Sequence, residues 1–101
     1  MAKKQDKYTK SSRGKPCLIR IPGYCKPAPE NETTVLCHLN GGGMASKNLN
    51  IHAADGCNVC HDIVDGRMQN TGFTPEEIEL MFLQGVIRTQ IRMVNDGTLK
   101  L

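Results

Sequence analysis

The chain has no tryptophan, two tyrosines and two phenylalanines in 101 residues, and its mean hydropathy is −0.39. Aromatic side chains supply much of the buried area in ordinary cores. A chain of this length is one domain at most, at the lean end for a self-sufficient interior. Disulfides or a bound metal are therefore expected to reinforce it. The sequence also lacks any apolar run long enough to span a bilayer, so no membrane partner is expected. Its basic start, Met1 to Lys10, leads into no apolar h-region and no cleavage site. That pattern predicts a cytoplasmic chain without a signal peptide.

What the sequence does have is cysteine, five in all. A reducing compartment favours metal ligation over disulfides, and an odd count fits four ligands with one left over. Cys57 and Cys60 form a C-x2-C pair at the mouth of a predicted short helix, one half of a tetrahedral site. Cys17 and Cys25 are separated by a stretch containing Pro22-Gly23, a turn signal that can bring the second thiol back beside the first. A C-x7-C spacing means little alone, because a longer loop has more ways to close. With the second pair it completes four thiolates, the closed set preferred by structural zinc. The plainer reading of Cys17 and Cys25 is two buried cysteines.

Charge is unevenly spread. Residues 1–26 hold eight Lys or Arg against one acid, a net +7, and residues 27–101 hold five against nine, a net −4, which together make the +3 of the chain. A basic front on an acidic body suggests a polyanionic partner, most simply nucleic acid, although a solvated tail is the bland equivalent. Residues 1–14 contain Tyr8 as their only large apolar group, which predicts a flexible basic arm ahead of a domain over 15–101. Lys3, Lys4, Lys7, Lys10 and Arg13, with Lys15 just beyond, are the candidate phosphate contacts.

Leu18, Ile19 and Ile21 suit a short strand, and the β-branched run Thr33 to His38 a second. A glycine-rich loop, Gly41-Gly42-Gly43, follows without the Gly-Lys-Ser/Thr ending of a P-loop. Leu49 to Ala54 reads as a returning antiparallel strand, and a helix is predicted from near Cys60 until Gly66 weakens it. Thr74-Pro75-Glu76-Glu77 is a helix start with N-cap, Pro at N1 and a capping box. Ile78, Met81, Phe82, Val86, Met93 and Val94 mark the apolar face of that amphipathic helix, which ends before Asn95-Asp96-Gly97. Arg88 and Arg92 share a face, solvated in the simpler reading. The fold class is α+β: a hairpin feeding a helix, stapled by two cysteine pairs, with an additional C-terminal helix.

This arrangement, with His38 ending a strand and His61 directly behind the second cysteine pair, resembles the ββα-metal (HNH, or His-Me finger) nucleases. More closely, Gly14 to Cys17, Arg20 to Cys25, Leu36-Cys37-His38, Cys57 to Asp62 and Asp65-Gly66-Arg67 resemble the small nucleases encoded by lambdoid prophages. The resemblance covers roughly residues 14–97. It implies a DNA endonuclease acting in a bacterial host, with Cys17, Cys25, Cys57 and Cys60 on structural zinc. It further implies His38 as general base and His61 as ligand of a catalytic divalent ion, Mg2+ or similar. Asn48 and Asn50 are both candidates for the residue that props the base. The position before the base often shares the catalytic ion, and here it is Cys37, a poor partner for a hard cation. Asp65, one helical turn beyond His61, shares its face.

Two other readings use the same residues. Cys57 to His61 matches C-x-x-C-H, the attachment sequence of c-type haem. That chemistry occurs outside the cytoplasm and leaves Cys17 and Cys25 without a role, so no haem is expected. A non-catalytic zinc-stapled DNA-binding or regulatory module accounts for the cysteines and the arm, but not for the two histidines. Cys37 beside His38 does not make a catalytic pair, because adjacent strand residues point to opposite faces.

Overall fold

A computed structural model describes residues 7–25, 32–39 and 51–100. In order, they form α1 (Lys7–Ser12), β1 (Val35–His38), β2 (Ala53–Gly56), α2 (Asn58–Val64) and α3 (Pro75–Asn95). The result is a small mixed α/β molecule in which two antiparallel strands are followed by a short helix and then a long one. Val35 pairs with Gly56, Leu36 with Asp55, Cys37 with Ala54 and His38 with Ala53. The Leu39 N–H bonds the His52 carbonyl (2.9 Å) just past the ladder.

Paired residues share a face of the sheet. Cys37 and Ala54 belong to the larger core cluster with Cys17, Ile19, Ile21, Cys57, Cys60, Ile63, Phe82 and Val86. Leu36 and Ala53 belong to a smaller one with Met93, joined by Tyr8 and Leu99. Both faces of the hairpin are therefore covered.

The long helix begins as its sequence dictates. Glu77 N–H donates to Thr74 Oγ1 (3.1 Å) and Thr74 N–H to Glu77 Oε1 (2.8 Å), with Pro75 in the first turn. Phe82, Gly85, Val86, Thr89 and Met93 are its buried residues. Ile78 and Met81 pack partly, whereas Val94, expected on the apolar face, is exposed. Gly66, at φ +83°, follows the α2 C-cap Asp65, where the left-handed backbone favours glycine.

Three expectations shift. The returning strand, read over Leu49 to Ala54, lies at Ala53–Gly56, because Asp55 and Gly56 find partners elsewhere in the fold; Leu49 and Asn50 lie outside the described residues. The expected strand at Leu18 to Ile21 is irregular, held to the outer edge of β2 by Leu18 N–H on the Asp55 carbonyl (2.7 Å). Composition predicted an arm over residues 1–14, yet Lys7–Ser12 are helical, with Ser12 buried and Tyr8 packed on the smaller cluster. Residues 1–6, with Lys3 and Lys4, lie outside the described residues, as do Gly41 to Gly43 and Asn48.

Candidate functional site

Two local devices bring the four cysteines together. In the first, Tyr24 N–H (3.1 Å) and Cys25 N–H (3.0 Å) both reach the Ile21 carbonyl. Pro22 and Gly23 (φ +84°) occupy the central positions of the turn, as a type II turn requires. In the second, Cys57 is the N-cap of α2 and its sulfur accepts the Cys60 N–H (3.4 Å). Helix initiation and ligand presentation are thus the same act.

The sulfurs of Cys17, Cys25, Cys57 and Cys60 all lie within 4.8 Å of one another. None is in a disulfide; Cys17, Cys57 and Cys60 are buried and Cys25 half-buried. Tetrahedral Zn–S bonds of about 2.3 Å would set sulfurs roughly 3.8 Å apart, a contraction of about 1 Å or less. The donor set is closed, all sulfur, and embedded in the main core, which is the form of a structural metal site rather than a reactive one.

Electrostatics agree. The Cys60 thiol and the backbone N–H groups of Arg20 and Cys57 pull Cys17 down to about 4 against its burial. Hydrogen bonding to Cys17 and burial push Cys60 up in turn. Burial, then the neighbouring thiols, holds Cys25 up near 12. Burial and the neighbouring thiols oppose the gathering of negative charge here, a cost that a bound cation would offset.

The fifth cysteine is apart from this set. Cys37 is 1% exposed, and its thiol is pushed up to about 12, chiefly by burial. It faces the core outside the group of four thiols, so it is not one of the candidate ligands. Its sulfur and Ile19 Cδ1 lie 2.8 and 2.7 Å from where a Cβ on Gly56 would stand, so any larger residue there requires those side-chain tips to move.

His38 is half-buried at the end of β1, opposite Ala53, and His61 is half-buried in α2 with its N–H on the Cys57 carbonyl (2.8 Å). Among the described residues the four thiols are the only group of three or more metal-donor side chains, and neither histidine is part of it. Asp65, paired in sequence with His61, is engaged by Arg67 (3.1 Å). His52 is exposed. Of the basic candidates, Lys7, Lys10 and Arg13 are exposed, and Lys15 donates to the Ser11 carbonyl (2.9 Å).

The sequence reading missed Asp55. It is fully buried, with both carboxylate oxygens on Arg92 (2.8 and 3.0 Å). Its N–H donates to Thr89 Oγ1 (2.9 Å) and its carbonyl accepts from Leu18. Arg92 is thus no solvated cation, and Arg88 likewise donates to the Leu18 carbonyl (2.8 Å). An acid directly before a glycine at the end of a weak strand gave no signal of this.

The comparisons with known proteins agree with one another. The family model described as "Putative nuclease YbcO" matches residues 6–98. "Putative nuclease YbcO" of Escherichia coli (strain K12) is 34% identical over 96 residues, covering 90% of this chain and 94% of that protein. "Putative nuclease ybcO" of Enterobacteria phage 82 matches equally well. A solved structure, described as "Structure of a putative bacteriophage protein from Escherichia coli str. K-12 substr. MG1655", superposes with a TM-score of 0.74 at 32% identity. It covers 89% of this chain and 99% of that one. The chain belongs to the family of the "Putative nuclease YbcO".

Proposed function

We propose that the protein is a metal-dependent endonuclease of the HNH type that hydrolyses DNA phosphodiester bonds. One observation carries the reading. In a chain whose relatives are named nucleases, His38 ends the first of two antiparallel strands, and His61 follows the metal-site cysteine Cys60 in the next helix. In this reading zinc on Cys17, Cys25, Cys57 and Cys60 is structural and fixes the start of α2, and therefore His61.

His38 takes the proton from the attacking water; a neutral imidazole, ordinarily near pH ~6.5, suits that task at neutral pH. His61 offers a nitrogen ligand to a catalytic divalent ion such as Mg2+. A divalent ion there supplies charge stabilisation for the phosphate and the leaving oxygen. Cys37 faces the core and a thiol is a poor partner for a hard cation, so His61 would hold the ion with phosphate and water rather than with a neighbour on β1. Lys3, Lys4, Lys7, Lys10, Arg13 and Lys15 contact the DNA backbone and add affinity without sequence preference.

The test is a nicking assay on duplex, branched and single-stranded DNA with added Mg2+ or Mn2+. His38→Ala should lose at least about a hundredfold in rate, as expected for a general base, while retaining its fold by circular dichroism. Equal cutting by wild type and His38→Ala removes His38 from the mechanism. DNA binding without cutting under any divalent ion would instead support a zinc-stapled binding module, the reading that the buried Cys37 favours.

A further inference from the structure

The side of α3 that packs on β2 is opposite a second apolar side with no partner among the described residues. Leu80, Leu83, Ile87, Ile91 and Val94 are between 37% and 57% exposed. At about 100° per residue, these five fall within an arc of roughly 80°, centred away from Phe82, Gly85, Thr89 and Met93. Gln84, Gln90 and Asn95 flank them, and no charged residue lies on the stripe between Leu80 and Val94. Single exposed apolar residues are ordinary on a protein surface. A continuous stripe about 21 Å long on one helix is the kind of patch that marks an interface.

The spacing identifies the occupant. From Leu80 the steps are three, four, four and three, so the stripe reads the same from either end and is centred on Ile87. A two-fold axis through Ile87 places Leu80 on Val94, Leu83 on Ile91 and Ile87 on itself. Self-complementarity of this kind is what an isologous contact requires, and a different partner would impose no such symmetry. Alternating steps of three and four are also those that seat side chains between two helices. Charge fixes the direction. Glu76 and Glu77 lie at the N-terminal end of the stripe, and Lys100 follows its other end. An antiparallel pair brings the acidic turn towards the partner's Lys100, whereas a parallel pair sets Glu76 against Glu76. With the flanking residues, such a seam buries roughly 1,000–1,200 Å2 in total, the low end for specific interfaces and suited to a reversible dimer.

We infer that the protein forms a symmetric dimer through the Leu80 to Val94 stripe of α3, packed antiparallel against the same stripe of a second copy. The buried side of α3 faces β2, so the seam uses the opposite side of the helix from the sheet and from the core that holds the thiol cluster. The consequence for catalysis rests on the nuclease reading: two equivalent sites related by a two-fold axis match a substrate with two strands to cut.

Sedimentation equilibrium of the zinc-loaded full chain, without DNA, tests the dimer independently of any cutting. A dimer is expected at micromolar concentration. Ile87→Glu, at an exposed position, should sediment as a monomer with unchanged zinc content and far-ultraviolet circular dichroism. A short bis-maleimide should link Ile87→Cys to itself, and should link Leu80→Cys to Val94→Cys only when the two are mixed. A monomeric wild type would overturn the inference, as would Leu80→Cys linking to itself or an Ile87→Glu variant that remains dimeric.

Discussion

Two carboxylates compete for Arg92. Asp55, its side chain fully buried, holds the largely buried Arg92 from β2, and Asp96 holds it from the end of α3 (2.8 Å), nearer the surface. Ser11 Oγ adds a third acceptor (3.1 Å), which ties α1 to the same guanidinium. Breaking a buried pair leaves an uncompensated charge, so Arg92→Met should cost roughly 3–5 kcal/mol in denaturant unfolding. Asp55→Asn should cost less, because its amide oxygen still accepts from Arg92. Asp96→Asn should cost under about 1 kcal/mol, as surface pairs do. Burial works against the charge on Asp96 but is outweighed by Thr98 and Arg92, which hold its pKa down at about 2 rather than 3.8. A depressed carboxylate stabilises the fold above its unfolded pKa and loses that effect only as pH falls towards the folded one. Measurements at neutral pH therefore read its contribution in full. Should Asp96→Asn prove as costly as Arg92→Met, the buried pair would not be the dominant partner.

At the scale of elements, the contact between α3 and the segment carrying Cys17 is set by one glycine. A Cβ on Gly85 would stand 2.9 Å from Ile19 Cα and 3.1 Å from the Leu18 carbonyl oxygen, so backbone, not a movable side-chain tip, would have to yield. Alanine is favoured over glycine in a helix by about 1 kcal/mol. Overpacking typically costs about 1–3 kcal/mol, and here it wins. Gly85→Ala should lower the melting temperature and, by displacing residues 17–19, weaken metal binding; a stabilised variant with unaltered affinity would show the contact to be looser than its geometry. The same residue shows why elements differed in legibility. The α3 boundaries were readable because Thr74, Pro75, Glu77 and Gly97 act within a turn of where they stand. The end of β2 was not, because Asp55 needs Thr89 and Arg92, more than thirty residues away. Helix α1 was hidden for the same reason: Tyr8 is half-buried and Ser12 buried by packing that composition cannot register. The cysteine site was legible because a turn and an N-cap, both local, aim each pair of sulfurs.

For the molecule as a whole, the thiol cluster occupies the place where a larger protein would have aromatic packing. Cys17, Cys57 and Cys60 sit in the main core beside Ile19, Ile21, Phe82 and Val86, and join the 17–25 segment to α2. Structural zinc in zinc-finger peptides contributes about 10–16 kcal/mol at neutral pH, against a typical net stability of about 5–15 kcal/mol for a whole domain. Removing the ion should therefore unfold the protein rather than merely soften it. The purified protein should carry about one zinc per chain by elemental analysis. A strong chelator should abolish the cooperative thermal transition, and added zinc should restore it. Acid should act in the same direction, because binding must displace protons from thiols such as Cys25, held near 12. A paired substitution separates ligation from packing. Cys17→Ser should lose the metal and the fold together, whereas Cys37→Ser, equally buried but outside the cluster, should keep its zinc and lose only packing stability. Metal loss from the Cys37 variant, or retention by the Cys17 variant, would mean that a different set of four sulfurs holds the ion.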